Sequence, residues 1–206
     1  MDKEYWDKYY ASHRVPDQPS LFAQFVFNDY LSKKGGNLLE LGCGNGRDSL
    51  YFSRQGISVL AVDQVESEIA FLEKEKTGEH LRFQSGDFTA LALDEKFGCV
   101  YSRFTLHSIR EEEECKVLKW CYDHSLPDGL FCIEARSVGD PKLLAGDRVS
   151  ENENIVDGHY RRYFNLKAFK GRLESEGFSI LYAEEKTGFA PFGDEDPPVV
   201  RIVATR

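Results

Sequence analysis

The segment Leu38-Leu39-Glu40-Leu41-Gly42-Cys43-Gly44-Asn45-Gly46-Arg47-Asp48-Ser49-Leu50 constrains this chain more than any other stretch. An apolar run leads into glycines at alternate positions and then into a helix. Glycine reaches backbone conformations closed to other residues, and without a Cβ it lets a ligand's polar atoms lie against the turn near a helix N-terminus. The spacing is G-x-G-x-G. A nicotinamide fingerprint of G-x-G-x-x-G type wants its third glycine at position 47, where this chain has Arg47, so a pyrophosphate ligand is disfavoured. Glu40, just before the first glycine, also suits an ammonium group better than a pyrophosphate.

The rest of the chain alternates short apolar runs with segments at helical spacing. The runs are Asn37 to Leu41, Ile57 to Val62, Leu81 to Gln84, Cys99 to Phe104, Leu130 to Ala135, Phe178 to Glu184 and Val199 to Thr205. Between them, Val65, Ile69 and Leu72, then Leu118, Cys121 and Tyr122, then Leu166, Phe169 and Leu173 each place apolar groups on one helical face. Asn165 and Gly177 bracket the last helix as N-cap and C-terminal stop. Such alternation implies βαβ units and a mostly parallel sheet. The last two runs are joined by Lys186 to Pro198, too short and too rich in Gly and Pro for a crossover helix, so they should pair antiparallel. The expected fold is α/β: a Rossmann-like, seven-stranded, mostly parallel sheet with an antiparallel C-terminal hairpin and helices on both faces.

A length of 206 residues fits one domain on a soft prior of ~150 residues per domain. Residues 1–34 are expected to form an N-terminal helical cap and 137–164 a substrate-side insertion. No run approaches the ~18 apolar residues of a membrane span, and the start, Met1 to Trp6, lacks the order of a secretory signal, so a cytoplasmic protein is expected. Cys43, Cys99, Cys115, Cys121 and Cys132 form no C-x-x-C pair or zinc-spaced cluster, which points to reduced thiols, mostly in core packing, and no metal. A net charge of −9 makes nucleic acid a poor partner and leaves a small-molecule substrate, with the protein a monomer or homodimer.

Two further acids fall after successive strands. Asp63, followed by Gln64, closes the second run, where a carboxylate can accept both hydroxyls of a ribose. Gly86-Asp87-Phe88 follows the third and can offer a carboxylate to an adenine amino group and an apolar surface to its ring. Each is an ordinary turn former when taken alone. Together with Leu39 to Gly46 they resemble the class I S-adenosylmethionine-dependent methyltransferases, over roughly Leu38 to the C-terminus. Gly44 to Tyr51 is similar to the tellurite-resistance type. Tyr5 to Tyr10, Tyr101 to His107 and Glu134 to Ser137 resemble small-molecule methyltransferases of surface-polysaccharide or phosphonate-type pathways. The resemblance implies S-adenosyl-L-methionine as methyl donor and S-adenosyl-L-homocysteine as product. It implies donor contacts from Glu40, Gly42, Cys43, Gly44, Gly46, Asp63, Gln64, Asp87, Phe88 and Ser102. Tyr5, Trp6, Tyr9 and Tyr10 fit an amphipathic helix packed on the body, or a cap over the donor with Trp6 and Tyr10 in contact.

Ligands of open α/β sheets bind beyond the carboxyl ends of the strands, so the acceptor belongs with segments that follow strands. Three stand out: Arg103-Phe104-Thr105-Leu106-His107, the excursion from Arg136 through Phe164, and Gly188 to Gly193 with two aromatics. Arg103, Arg136, Arg161 and Arg162 can grip an anion by charge-assisted fork geometry, with Tyr160 beside them. His107 or His159 would be the base for an alcohol or amine acceptor, whereas an anionic nucleophile needs none. Arg103 and the histidines are the candidate catalytic residues, each of which also has an ordinary structural reading. Glu111 to Glu114 reads as a solvated helix start favoured by the helix dipole. The function expected is methyl transfer to a small polar, anionic metabolite, with O-methylation favoured. The alternatives are an NAD(P)-dependent oxidoreductase and a non-catalytic regulatory protein that binds the donor.

Overall fold

The computed structural model describes residues 18–76 and 78–206. Its main strands are β1 (Asn37–Leu41), β2 (Ser58–Asp63), β3 (Leu81–Ser85), β4 (Phe97–Arg103), β5 (Ser125–Arg136), β9 (Ser179–Lys186) and β10 (Val199–Thr205). They form one seven-stranded sheet in the order β3-β2-β1-β4-β5-β10-β9. The first five are parallel, and β10 pairs antiparallel with both β5 and β9. The segment between β9 and β10 holds no helix, so the chain can only return beside the strand it has just left.

Period-two alternation sorts each strand between two cores. Leu39, Leu41, Val100, Phe131, Ile133, Val200 and Ile202 face one layer, with α4 (Glu111–His124) and α5 (Leu166–Ser175) supplying Val117, Leu118, Cys121, Phe169 and Leu173. Leu38, Cys99, Tyr101, Leu130, Cys132 and Val203 face the other. There α1 (Leu21–Val26), α2 (Arg47–Arg54) and α3 (Glu66–Glu75) supply Phe22, Val26, Phe52, Ile69 and Leu72. Asn165 caps α5 as its sequence position implies, its side chain accepting from Ala168 N at 3.1 Å. Four of the five cysteines are buried and Cys115 is exposed.

The excursion after β5 is more regular than its sequence indicates. Strands β6 (Asp147–Arg148), β7 (Glu153–Val156) and β8 (His159–Arg162) make a small antiparallel sheet that packs on the turn Leu106–Ser108 after β4. Asn154 organises its approach, donating from Nδ2 to the carbonyls of Lys142, Leu143 and Ala145. Residues 141–144 form a 3-10 turn capped by Asp140. Strand order reverses between β1 and β4, which makes their carboxyl ends the crevice of this topology.

Candidate active site

β1 ends in the glycine turn at that crevice. Gly42, Gly44 and Gly46 all hold positive φ, 67°, 53° and 73°, which explains why the spacing is glycine at alternate positions. A Cβ on Gly42 would lie 2.5 Å from Thr105 Cγ2, and one on Gly46 would lie 3.0 Å from the Phe83 ring. Thr105 closes the turn from the β4 side, donating its hydroxyl to Leu41 O at 2.8 Å.

Two carboxylates flank this cradle. Asp63 accepts from Gly44 N at 2.9 Å and Val65 N at 3.0 Å, so it fixes the turn and still has lone pairs for a further donor. Burial raises its pKa, and those N–H groups oppose the shift. Glu40 is buried, accepts a hydrogen bond from Ser49 Oγ, and is pushed up to about 8 by burial and then by the charge of Asp48. No cation touches it among the described residues, which is the environment an incoming ammonium would relieve. Burial raises the Cys43 thiol well above its ordinary value, so Cys43 is a packing residue of the turn.

Asp48, which sequence reasoning passed over, ties this half of the site together. It accepts from Ser20 N at 2.8 Å, Ser20 Oγ at 2.7 Å and Tyr101 Oη at 2.8 Å, holding the start of α1 against β4. A buried carboxylate with three donors is anchored by charge-assisted bonds. The sequence signal available was a Ser immediately before the amphipathic run of α1 and an Asp in the first turn of the glycine-loop helix.

The candidate acceptor residues separate by partner. Arg103 donates from Nε to Glu134 Oε1 at 2.8 Å, and Arg201 takes the other oxygen at 2.5 Å, so Arg103 is part of a buried ion-pair row across β4, β5 and β10. Arg136 donates to Asp140 Oδ2 at 2.5 Å. Along β8 the period of two divides the predicted cluster. Tyr160 donates to Glu153 at 2.5 Å and stacks near Arg110, while Arg162 donates to Ile109 O and to the buried Glu114. Arg162 is therefore a core strut, and Glu114 is fully buried instead of solvated; the carboxylate is there because Arg162 and Arg172 converge on it. His159 and Arg161 lie within charge range of His107, as do Arg136 and Arg162. Arg161 is half-buried, and its side chain forms no hydrogen bond or ion pair among the described residues.

His107 is buried, and its Nδ1 has no hydrogen-bond partner among the described residues. Burial, then the charges of Arg136, His159, Arg161 and Arg162, hold its pKa well below the ordinary imidazole value. It is a neutral acceptor at physiological pH. Ser102 is fully buried in β4, and its hydroxyl likewise lacks a partner among the described residues. Phe88, predicted to offer its ring to an adenine, is buried and belongs to the core cluster that holds Leu39 and Val62. Asp87 stays exposed and accepts from Thr89 N at 2.8 Å. Gln64 is half-buried beside Asp63. Trp6 and Tyr10 lie outside the described residues, as do Tyr5 and Tyr9.

Among the described residues no group of three or more His, Cys, Asp or Glu side chains is placed to hold a metal ion, and no helix is long and apolar enough to cross a membrane.

A family model described as a methyltransferase domain matches residues 10–183. The probable S-adenosyl-L-methionine-dependent methyltransferase TehB of Haemophilus influenzae is 32% identical over 127 residues, covering 60% of this chain and 44% of its own. A cypemycin N-terminal methyltransferase from Streptomyces is 30% identical over 115 residues, covering 55% of this chain and 47% of its own. The chain thus spans under half the length of these two relatives. Among solved structures, an S-adenosylmethionine-dependent methyltransferase from Methanosarcina mazei superposes with TM-score 0.76 at 19% identity, covering 88% of this chain and 96% of its own. The Burkholderia thailandensis 1,6-didemethyltoxoflavin-N1-methyltransferase gives 0.73 at 19% identity, covering 100% and 84%. At these identities the likeness is one of fold.

Proposed function

The chain belongs to the methyltransferase-domain family, and on that premise we propose that it transfers the methyl group of S-adenosylmethionine to a small polar acceptor carrying negative charge. The observation that carries the donor half is the pairing of a Cβ-intolerant glycine cradle with two buried carboxylates, Glu40 and Asp63. Glu40 suits the donor's ammonium and Asp63 its ribose hydroxyls. Asp87 and Gln64 stand at the adenosine side, at the ends of β3 and β2.

When bound, the donor supplies a sulfonium-activated methyl carbon. The protein's part is to align the nucleophile with that carbon and to exclude water. Thr105 fixes the β4 exit against the donor turn, so any group carried by residues 104 to 107 is registered to the methyl position. Arg161, with no ion-pair partner among the described residues, is the group that grips the acceptor's charge, and Arg136 stands nearby on Asp140. An anionic oxygen needs no base, which favours O-methylation in this reading. An amine or hydroxyl acceptor is the second reading, carried by the neutral His107, whose buried Nδ1 has no hydrogen-bond partner among the described residues and would take the proton. An intermediate of surface-polysaccharide or phosphonate type is the acceptor pathway we favour, on the resemblance of residues 101–107 and 134–137.

Incubating the protein with methyl-labelled donor and a small-metabolite extract tests the reading. A labelled anionic product is expected. Donor binding without any labelled product would make the protein a non-catalytic binder, and no donor binding would remove the reading.

A further inference from the structure

Among the described residues three that are not glycine hold a left-handed backbone: Asp128 (φ 60°), Asp157 (φ 54°) and Phe104 (φ 53°). Asp128 precedes Gly129 at a register irregularity of β5 and Asp157 precedes Gly158 in a turn, and a short polar side chain tolerates that conformation. Phe104 does not belong to that class. A bulky aromatic residue is strained there, and strain of this kind persists where the surrounding structure enforces it, often at a ligand site.

What enforces it is visible on both sides of the residue. Phe104 N donates to Glu134 O at 2.8 Å, and the next residue, Thr105, bonds Leu41 O and presses on Gly42. Between these two fixed points the left-handed turn swings the Phe104 ring out of the strand to the place where the three post-strand segments meet. The guanidinium carbons of Arg103 and Arg136 lie over the ring, 4.6 and 5.7 Å from its centroid. The His107 ring is 5.8 Å away, and Phe189 and Ala190 of the β9–β10 connection pack in the same cluster. Phe104 nevertheless remains only half-buried. A residue that merely closed a core would be covered and would not need this backbone.

We infer that Phe104 is a positioning residue for the methyl acceptor, forming the wall that seats the nucleophile between the donor turn and the His107 and Arg136 side. The inference rests on the methyl-transfer reading above and deepens it. A ring whose negative face is taken by cations keeps its positive edge for the remaining neighbour, which suits an electron-rich acceptor atom.

Three variants of the intact protein test it: Phe104→Gly, Phe104→Leu and Phe104→Tyr. Each is assayed for melting temperature, for S-adenosylhomocysteine affinity by calorimetry, and for transfer of labelled methyl into a small-metabolite extract. Glycine accepts the left-handed turn, so Phe104→Gly is expected to bind S-adenosylhomocysteine within about twofold of wild type while labelling falls at least ~tenfold. Phe104→Leu, which keeps apolar bulk, should show the same split should the glycine variant unfold. Phe104→Tyr, which keeps the ring, should label within about threefold of wild type. Wild-type labelling by folded Phe104→Gly or Phe104→Leu overturns the inference alone. So does a loss of donor affinity that parallels the loss of labelling, since that would place Phe104 in the donor half. An extract that even the wild-type protein leaves unlabelled removes the methyl-transfer reading, and this inference with it.

Discussion

Arg162 and Glu114 face each other between β8 and α4 with 2% of the arginine side chain and none of the carboxylate side chain exposed. The pair ties the small antiparallel sheet to the main body, and Arg172 takes the other oxygen of Glu114 at 2.6 Å. Two arginines on one buried carboxylate, with Glu111 at the rim, make a local network in which no charge is left to a ligand.

Glu114→Gln is accordingly expected to destabilise the protein by about 3–5 kcal/mol in urea denaturation, because it leaves the buried Arg162 with only the exposed Glu111, at 3.4 Å, for charge. Arg162→Met should be milder, since Arg172 remains on Glu114. Variants within about 0.5 kcal/mol of wild type would show that the network is surface-like in solution.

Asp63 both holds Gly44 N and faces the donor site. Asp63→Ala should weaken S-adenosylhomocysteine binding by at least ~1.4 kcal/mol, or ~tenfold, by removing a charged acceptor. Isothermal calorimetry measures this directly, and an unchanged dissociation constant would take Asp63 off the ribose.

The glycine turn and the sheet were legible because both depend on local pattern: short apolar runs along β1, β4 and β5, and φ values that only glycine holds comfortably. The fate of the arginines was not legible, because it depends on partners far away in sequence. Arg162 meets an acid 48 positions earlier, Arg103 meets one 31 positions later, and nothing near either residue announces the pairing. The same holds for Asp48 and Ser20, 28 positions apart. Phe104 escaped because its importance lies in a backbone angle, and a phenylalanine at a strand end reads as one more apolar residue. The burial of Phe88 was hidden for a similar reason: Gly86-Asp87 looks like a ligand turn, and nothing local announces that Phe88, in the 3-10 turn at 88–90, joins the core cluster.

Glu40 gives a pH signature. Its folded pKa, near 8, lies above that of an unfolded carboxylate, so the stability it contributes is complete below about pH 4 and is lost as pH rises through 8. The ligand-free protein should lose stability across that window, and Glu40→Gln should flatten the loss. An ammonium ligand favours the ionised form, so S-adenosylhomocysteine affinity should rise from pH 6 to 8 with proton release. Calorimetry in two buffers of different ionisation enthalpy reads that proton; identical enthalpies would sink the assignment of Glu40 to the ammonium.

Metal removal is expected to leave methyl transfer unchanged, because positioning by side chains and the donor's own sulfonium supply the chemistry. Turnover lost in EDTA and restored by magnesium would require oxygen ligands that the described residues do not bring together.

Arg161 is the residue on which the charge of the acceptor is decided. Arg103 is committed to Glu134, Arg136 to Asp140 and Arg162 to Glu114, each at the distance of a charge-assisted hydrogen bond or closer. Arg161 sits half-buried in charge range of His107 and Glu195, with no such partner among the described residues. A guanidinium partly removed from water and left unpaired is unfavourable, so an anion arriving beside it regains what burial took away. Arg161→Met should then raise KM for the true acceptor at least ~tenfold, or lower kcat, while S-adenosylhomocysteine affinity and melting temperature stay near wild type. Arg161→Lys should recover part of the loss, because it restores charge without the planar fork. Wild-type kinetics in Arg161→Met, or an acceptor that proves neutral or cationic when the labelled product is identified, would show that the unpaired arginine serves no anion.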